Sequence, residues 1–144
     1  MMHELLIHRL DPGLPLPGTE NPGDAGLDLR ARTDVQIEPG QRLLIPTGIA
    51  IALPPGFVGL IHPRSGMAIK AGFSLLNAPG TIDAGYRGEI SVIGHNADPV
   101  TTISISRGDR IAQLVIQEIP EIRIVEVEQL PGSVRSERGF GSSG

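Results

Sequence analysis

Cysteine is absent from this chain of 144 residues. That excludes a disulfide framework, a thiolate zinc site and a thiol nucleophile, and it suits a reducing compartment. Tryptophan is absent too, and one tyrosine and three phenylalanines make an aromatic share of only 3%. The core must be aliphatic, and the lone tyrosine, Tyr86, is easier to explain by a task than by packing. No apolar run approaches the length of a membrane-spanning helix. The start, Met1-Met2-His3-Glu4-Leu5, lacks the basic residues and small-residue cleavage site of a secretory signal, so the cytoplasm is the expected location. Net charge is −4 with no basic block, which argues against a general nucleic-acid surface. An anionic ligand must be met by individually placed arginines, backbone N–H groups or a metal, because the overall field opposes it.

Glycine and proline are abundant instead, 19 + 13 = 32 residues, spread along the whole chain. Their widest gap is residues 27–38, twelve residues, which leaves little room for a long helix. The length suits one domain with a real core. Strand-like pieces rich in Ile and Val lie between the breaks, at residues 3–9, 35–37, 42–45, 49–53, 57–62, 90–93, 101–106, 111–118 and 122–127. Met67-Ala68-Ile69-Lys70-Ala71 is the candidate for a short helix. The pattern predicts an all-β sandwich, jelly roll or barrel without internal repeats. From residue 131 to 144 the composition turns to Gly, Ser, Arg and Glu with one Phe, as in a mobile arm. The expected division is therefore a β-domain over 1–130 and an arm over 131–144.

Five segments carry polar chemistry. In Thr81-Ile82-Asp83-Ala84-Gly85-Tyr86-Arg87-Gly88-Glu89, an acid and a hydroxylated ring share a glycine-rich turn. This segment follows Asn77-Ala78-Pro79-Gly80 and precedes Val92 and Ile93, so it reads as two strands joined by a tight connection. Such parts suit holding a flat polar ring and aiming one carboxylate. Asp24-Ala25-Gly26-Leu27-Asp28-Leu29-Arg30 puts two acids near glycine, and alone it reads as a loop entering a strand. Pro63-Arg64-Ser65-Gly66-Met67-Ala68 places Arg and Ser at a strand-to-helix junction, where they serve either phosphate binding or a helix cap. Arg107-Gly108-Asp109-Arg110-Ile111-Ala112-Gln113 enters a strand; Arg107 and Asp109 suit a solvated pair, while Gln113 in an aliphatic run needs a partner. Arg135-Ser136-Glu137-Arg138-Gly139-Phe140-Gly141-Ser142-Ser143-Gly144 reads alone as a loose terminus. It also has the ingredients of a lid: small residues, cations and a ring.

In this order and spacing, the five segments resemble the five motifs of the homotrimeric dUTPases (deoxyuridine triphosphate nucleotidohydrolases), bacterial type. The resemblance implies a jelly-roll-like subunit in a threefold trimer whose active sites are shared between subunits. It implies conversion of dUTP and water to dUMP and pyrophosphate with Mg²⁺ on the triphosphate. By motif position, Asp83 is the general base. Asn77 and the main chain of Thr81, Ile82 and Asp83 read uracil, Tyr86 packs on deoxyribose, and Ser91 neighbours the base. Arg64, Ser65 and Gly66 hold phosphates, Gln113 lies toward the α-phosphate, and Asp28 meets the Mg²⁺ through water. Arg135 reaches the γ-phosphate and Phe140 stacks on uracil.

The arm departs from the usual Arg-Gly-x-Gly-Gly, since Ser136 and Arg138 stand where glycines are usual. Which of Arg135 and Arg138 meets the γ-phosphate stays open. His95 has no assigned role and reads as a surface histidine near a turn; the four histidines lack metal spacing. Two other readings remain: a dCTP deaminase of the same fold, and a nucleotide binder without turnover. Deamination needs a glutamate acting on the base, whereas this turn has Asp83 followed by Tyr86. A pure binder has no use for a placed base.

Overall fold

The computed structural model describes residues 2–141. Frequent glycine and proline leave eleven short strands and one helix among the described residues. They are β1 (Leu6–Arg9), β2 (Gly26–Arg30), β3 (Val35–Ile37), β4 (Arg42–Pro46), β5 (Ile49–Ala52), β6 (Phe57–His62), α1 (Ser65–Ala71), β7 (Phe73–Leu75), β8 (Gly80–Ile82), β9 (Ser91–Asn96), β10 (Ile103–Ile105) and β11 (Arg110–Glu118). Four sheets form: β1-β5, β10-β3, β2-β11-β6-β8 and β4-β9-β7, every pairing antiparallel. The result is a jelly-roll-like sandwich, as the composition predicts, with no closed barrel.

One aliphatic cluster fills the interior. Leu29, Ile37, Ile45, Ile90, Ile111 and Leu114 are fully buried around the ring of Phe73. Each such aliphatic side chain contributes roughly 1.5–3 kcal/mol relative to exposure. β9 shows the two-residue strand period: Val92, Gly94 and Asn96 point inward, and the residues between them are half-buried. Gly94 is required there, because a Cβ would lie 2.8 Å from Phe73 Cε2 and 2.9 Å from Ile45 Cδ1. Asn96, fully buried, is satisfied on both sides of its amide. Its Nδ2 donates to the carbonyls of Ile37 (2.9 Å) and Thr101 (2.8 Å), and its Oδ1 accepts from Asp98 N–H.

Several expectations change. The segment 122–127 forms no strand: this chain offers it no paired neighbour, and Ile122, Ile124, Val125 and Val127 are exposed. β8 and β9 are not a hairpin, since β8 pairs with β6 whereas β9 pairs with β4 and β7. The turn between them bridges two sheets. The helix begins two residues earlier than expected, at Ser65, and ends at Gly72 in the left-handed region (φ 68°), whose N–H caps the carbonyls of Ala68 and Met67. Ser65 does not cap it; Arg64 holds the N-cap position in extended conformation without a side-chain hydrogen bond. β7 lies outside the expected strand ranges, while β2 and β8 fall where the sequence reads as a loop entering a strand and as part of a tight connection between two strands. His95 sits half-buried within β9, opposite Arg42 and Ser74, and not at a turn.

Candidate active site

The sandwich presents the polar motifs in two recesses. The first, about 290 Å³, is lined by Glu20, Asp24, Gly26, Asp28, Arg64, Ser65, Gly66 and Gln113, among others. Sheet register explains the convergence: on β11, Gln113 pairs with Asp28 of β2 on one side and with His62 of β6 on the other. Residues 63–66 leave the end of β6 and enter α1, so the Arg64-Ser65-Gly66 turn lies beside that register position. Gln113 finds the partner that its aliphatic setting demands: its Nε2 donates to the Pro63 carbonyl at 3.1 Å and anchors the turn. Gly26 admits this side chain, because a Cβ there would lie 2.2 Å from Gln113 Oε1.

Arg64 is aimed by two contacts. Its Nε lies 3.4 Å from Asp28 Oδ1, and its Nη1 donates to the Arg110 carbonyl at 3.4 Å. Arg110 in turn pairs with Glu20 at 3.0 Å and lies 3.8 Å from the other oxygen of Asp28. Half-exposed pairs of this kind add little stability, but they fix side-chain direction. Sequence reasoning missed Glu20 and Arg110, which are 90 residues apart and meet where the loop before β2 lies beside the start of β11. Arg107 and Asp109 do not pair with each other. Arg107 makes a two-pronged bond to Asp11, and Asp109 accepts the Ser106 N–H at 2.8 Å.

The second recess, about 360 Å³, is lined by Leu44, Thr81, Ile82, Asp83, Tyr86, Glu89, Ile90 and Ser91. β8 is the outer strand of its sheet, so one row of its backbone donors and acceptors has no strand beside it. Asp83 follows directly and is exposed. Its carbonyl accepts the Tyr86 N–H at 3.1 Å, closing a turn that Arg87 ties further by donating to the carbonyls of Ala84 and Tyr86. The Tyr86 ring folds back over Gly88, where a Cβ would lie 2.5 Å from Tyr86 Oη, and the hydroxyl donates to the Glu89 carbonyl at 3.0 Å. Asn77 is exposed in the turn before β8, with its amide beside Gly80.

Arg135 and Phe140 join neither recess in the single chain. Both are exposed, and Arg135 and Arg138 donate to each other's carbonyls. The last part of the arm, Ser142-Ser143-Gly144, lies outside the described residues. For Mg²⁺, the first recess offers hard carboxylate oxygens from Glu20, Asp24 and Asp28. Among the described residues no three acidic or histidine side chains converge as a metal cage. This donor set fits an ion that keeps its waters and is carried by ligand phosphates.

Known proteins share this fold and much of this sequence. The family model described as dUTPase matches residues 14–144. A deoxyuridine 5'-triphosphate nucleotidohydrolase of Rhodococcus erythropolis is 59% identical over 97% of this chain and 85% of its own length. Its Streptomyces coelicolor counterpart is 54% identical over 98% of this chain and 77% of its own. Among solved structures, the Staphylococcus bacteriophage 80alpha dUTPase with dUPNHPP superposes with a TM-score of 0.90, at 30% identity over 99% of both chains. A mutant dUTPase from phage phi11 of S. aureus, described with a structural Mg(II) ion, gives 0.82 at 27% identity over 90% of this chain and 99% of its own. With its motifs gathered on the same fold over nearly its whole length, the chain belongs to the dUTPase family.

Proposed function

We propose that this chain hydrolyses dUTP through attack of an Asp83-oriented water on the α-phosphorus. Family membership carries the net reaction, dUTP and water to dUMP and pyrophosphate. The observation that supports the site best is the outer strand β8, whose free backbone edge runs straight into Asp83 and the Tyr86 turn within one recess. A strand edge supplies alternating donors and acceptors and so matches the polar edge of uracil, with Asn77 beside it. Ser91 borders the same base position. Tyr86 packs under the deoxyribose and leaves no space for a 2′-hydroxyl, which would enter stripped of its water.

In the hydrolytic step Asp83 takes a proton from water as the oxygen bonds to the α-phosphorus, and the bond from that phosphorus to the α–β bridging oxygen breaks. Pyrophosphate leaves with the bond electrons. Arg64, the Ser65 hydroxyl and the N–H groups of Ser65 and Gly66 stabilise the charge that develops on it. Gln113 borders the α-phosphate. A phosphate-borne Mg²⁺ would neutralise charge, and Asp28 would hold its water shell while aiming Arg64.

The two recesses remain separate in one chain, and the active site is completed by other copies in a homotrimer. Exposed Ile122, Ile124, Val125, Val127 and Leu130, which lie in no strand among the described residues, support this assembly. The arm over 131–144 closes a neighbour's site, with Arg135 or Arg138 on the γ-phosphate and Phe140 on the uracil face. The cytoplasm is the setting that suits a cysteine-free nucleotide hydrolase, and no helix of the described residues is long and apolar enough to cross a membrane. Turnover in water enriched in heavy oxygen tests the point of attack. The label is expected in dUMP alone, and label in pyrophosphate would place the attack on the β-phosphorus.

A further inference from the structure

We propose that Glu89 is a positioning residue for Tyr86, held by Arg32, and that this buttress sets the discrimination between deoxyribo- and ribonucleotides. The inference rests on the sugar-facing role given to Tyr86 above. Four observations converge on it. The Tyr86 hydroxyl donates to the Glu89 main-chain carbonyl at 3.0 Å, so the ring is fixed to the backbone of one residue. The carboxylate of that residue is gripped: Arg32 Nη1 donates to both of its oxygens, at 3.0 and 3.1 Å, and the Gly48 N–H donates to Oε2 at 3.0 Å. Arg32 is itself pinned, by its own N–H on the Pro46 carbonyl (2.8 Å), by its Nη2 on the Leu10 carbonyl (3.4 Å) and by Asp11 at 3.6 Å. Next to Glu89, Ile90 is locked to residues 47–49 through Ile90 N–H on the Ile49 carbonyl (2.9 Å) and Thr47 N–H on the Ile90 carbonyl (3.0 Å).

The 83–89 turn is thus fixed at both ends, by β8 at one and by this clamp at the other. Glu89 also lines the recess itself. An ion pair serving stability alone needs no such link to the ring. Excluding a hydroxyl demands that the blocking ring cannot retreat, and a shift of about 1 Å would begin to open the space that one oxygen requires. Glu89 and its carbonyl prevent that retreat.

Steady-state kinetics of the full chain on dUTP and UTP test this, with circular dichroism and thermal melting as checks of folding. Wild type should strongly prefer dUTP; equal use of both would overturn the sugar-facing role of Tyr86 before any variant is compared. In Glu89→Gln the dUTP/UTP ratio of kcat/KM should fall about tenfold or more, through a lower KM for UTP and a higher one for dUTP, with kcat for dUTP changed about threefold at most. Arg32→Ala should reproduce the loss and Arg32→Lys should restore part of the ratio. Equal falls on both substrates, leaving the ratio unchanged, would show a structural ion pair and overturn the proposal. Should Glu89→Gln fail to fold, Tyr86→Phe removes only the bond to the Glu89 carbonyl. Its ratio should fall in the same direction, and an unchanged ratio there also overturns the proposal.

Discussion

Asp83 and Tyr86 stand three residues apart on one turn and have different proposed roles. The Tyr86 hydroxyl is committed to the Glu89 carbonyl, so the ring presents a face and not a proton. Asp83 stands exposed at the end of an outer strand, where a water and a phosphorus can both reach it. Replacing its carboxylate by an amide of the same shape removes the proton acceptor and keeps the outline. Asp83→Asn should therefore lower kcat by about 10² to 10⁴-fold while the Kd of a non-hydrolysable dUTP analogue changes by less than about threefold. Stopped assays and calorimetric titration check the two parts, and surviving turnover would remove Asp83 from the mechanism. Glycines do quieter work at this scale. Gly26 leaves room for Gln113, and Gly88 for the Tyr86 ring.

At the scale of elements, the β2–β11–β6 register assembles the recess proposed for the phosphates, and the outer position of β8 builds the one proposed for the base. The arm belongs to no sheet among the described residues. Removing residues 131–144 should reduce kcat/KM for dUTP about 100-fold or more, because the lid and its cations are lost. The assembly should keep its size on a sizing column, since the exposed apolar side chains of Ile122, Ile124, Val125, Val127 and Leu130 remain; dissociation would make the arm a structural tether. Much of this was legible in the sequence. Pieces rich in Ile and Val marked most of the strands, and the helix ends at Ala71 as expected, with Gly72 as a left-handed cap. What escaped reading depends on partners distant in sequence. β2 carries Asp28 and Arg30 in a stretch that reads as a loop entering a strand, and only its pairing with β11 shows what those side chains face. The segment 122–127 has strand composition but pairs with no strand among the described residues. Arg32 and Glu89 lie 57 residues apart, and no local pattern announces their contact.

For the whole molecule, acid stability follows from two carboxylates outside the active site. Hydrogen bonding from Arg107 holds the Asp11 carboxyl below the usual range, against a smaller opposing pull from burial. The N–H groups of Thr101 and then Val100 do the same for Asp98. A value lowered on folding gives stability that is fully present above the unfolded value and lost as pH falls through the folded one. The urea midpoint should be level from neutral pH down to about 5 and drop below about 4. Asp98→Asn should flatten that drop, and a midpoint that rises on acidification would contradict the assignment. At the same scale stands the central claim, that one fold reads base, sugar and triphosphate together. The most direct test is pyrophosphate release by wild type from dUTP beside dTTP, UTP and dCTP, with ammonia followed in parallel for dCTP. Rapid release from dUTP, with the other three slower by orders of magnitude and no ammonia, is the expected result. Comparable release from all four, or ammonia from dCTP, would contradict it.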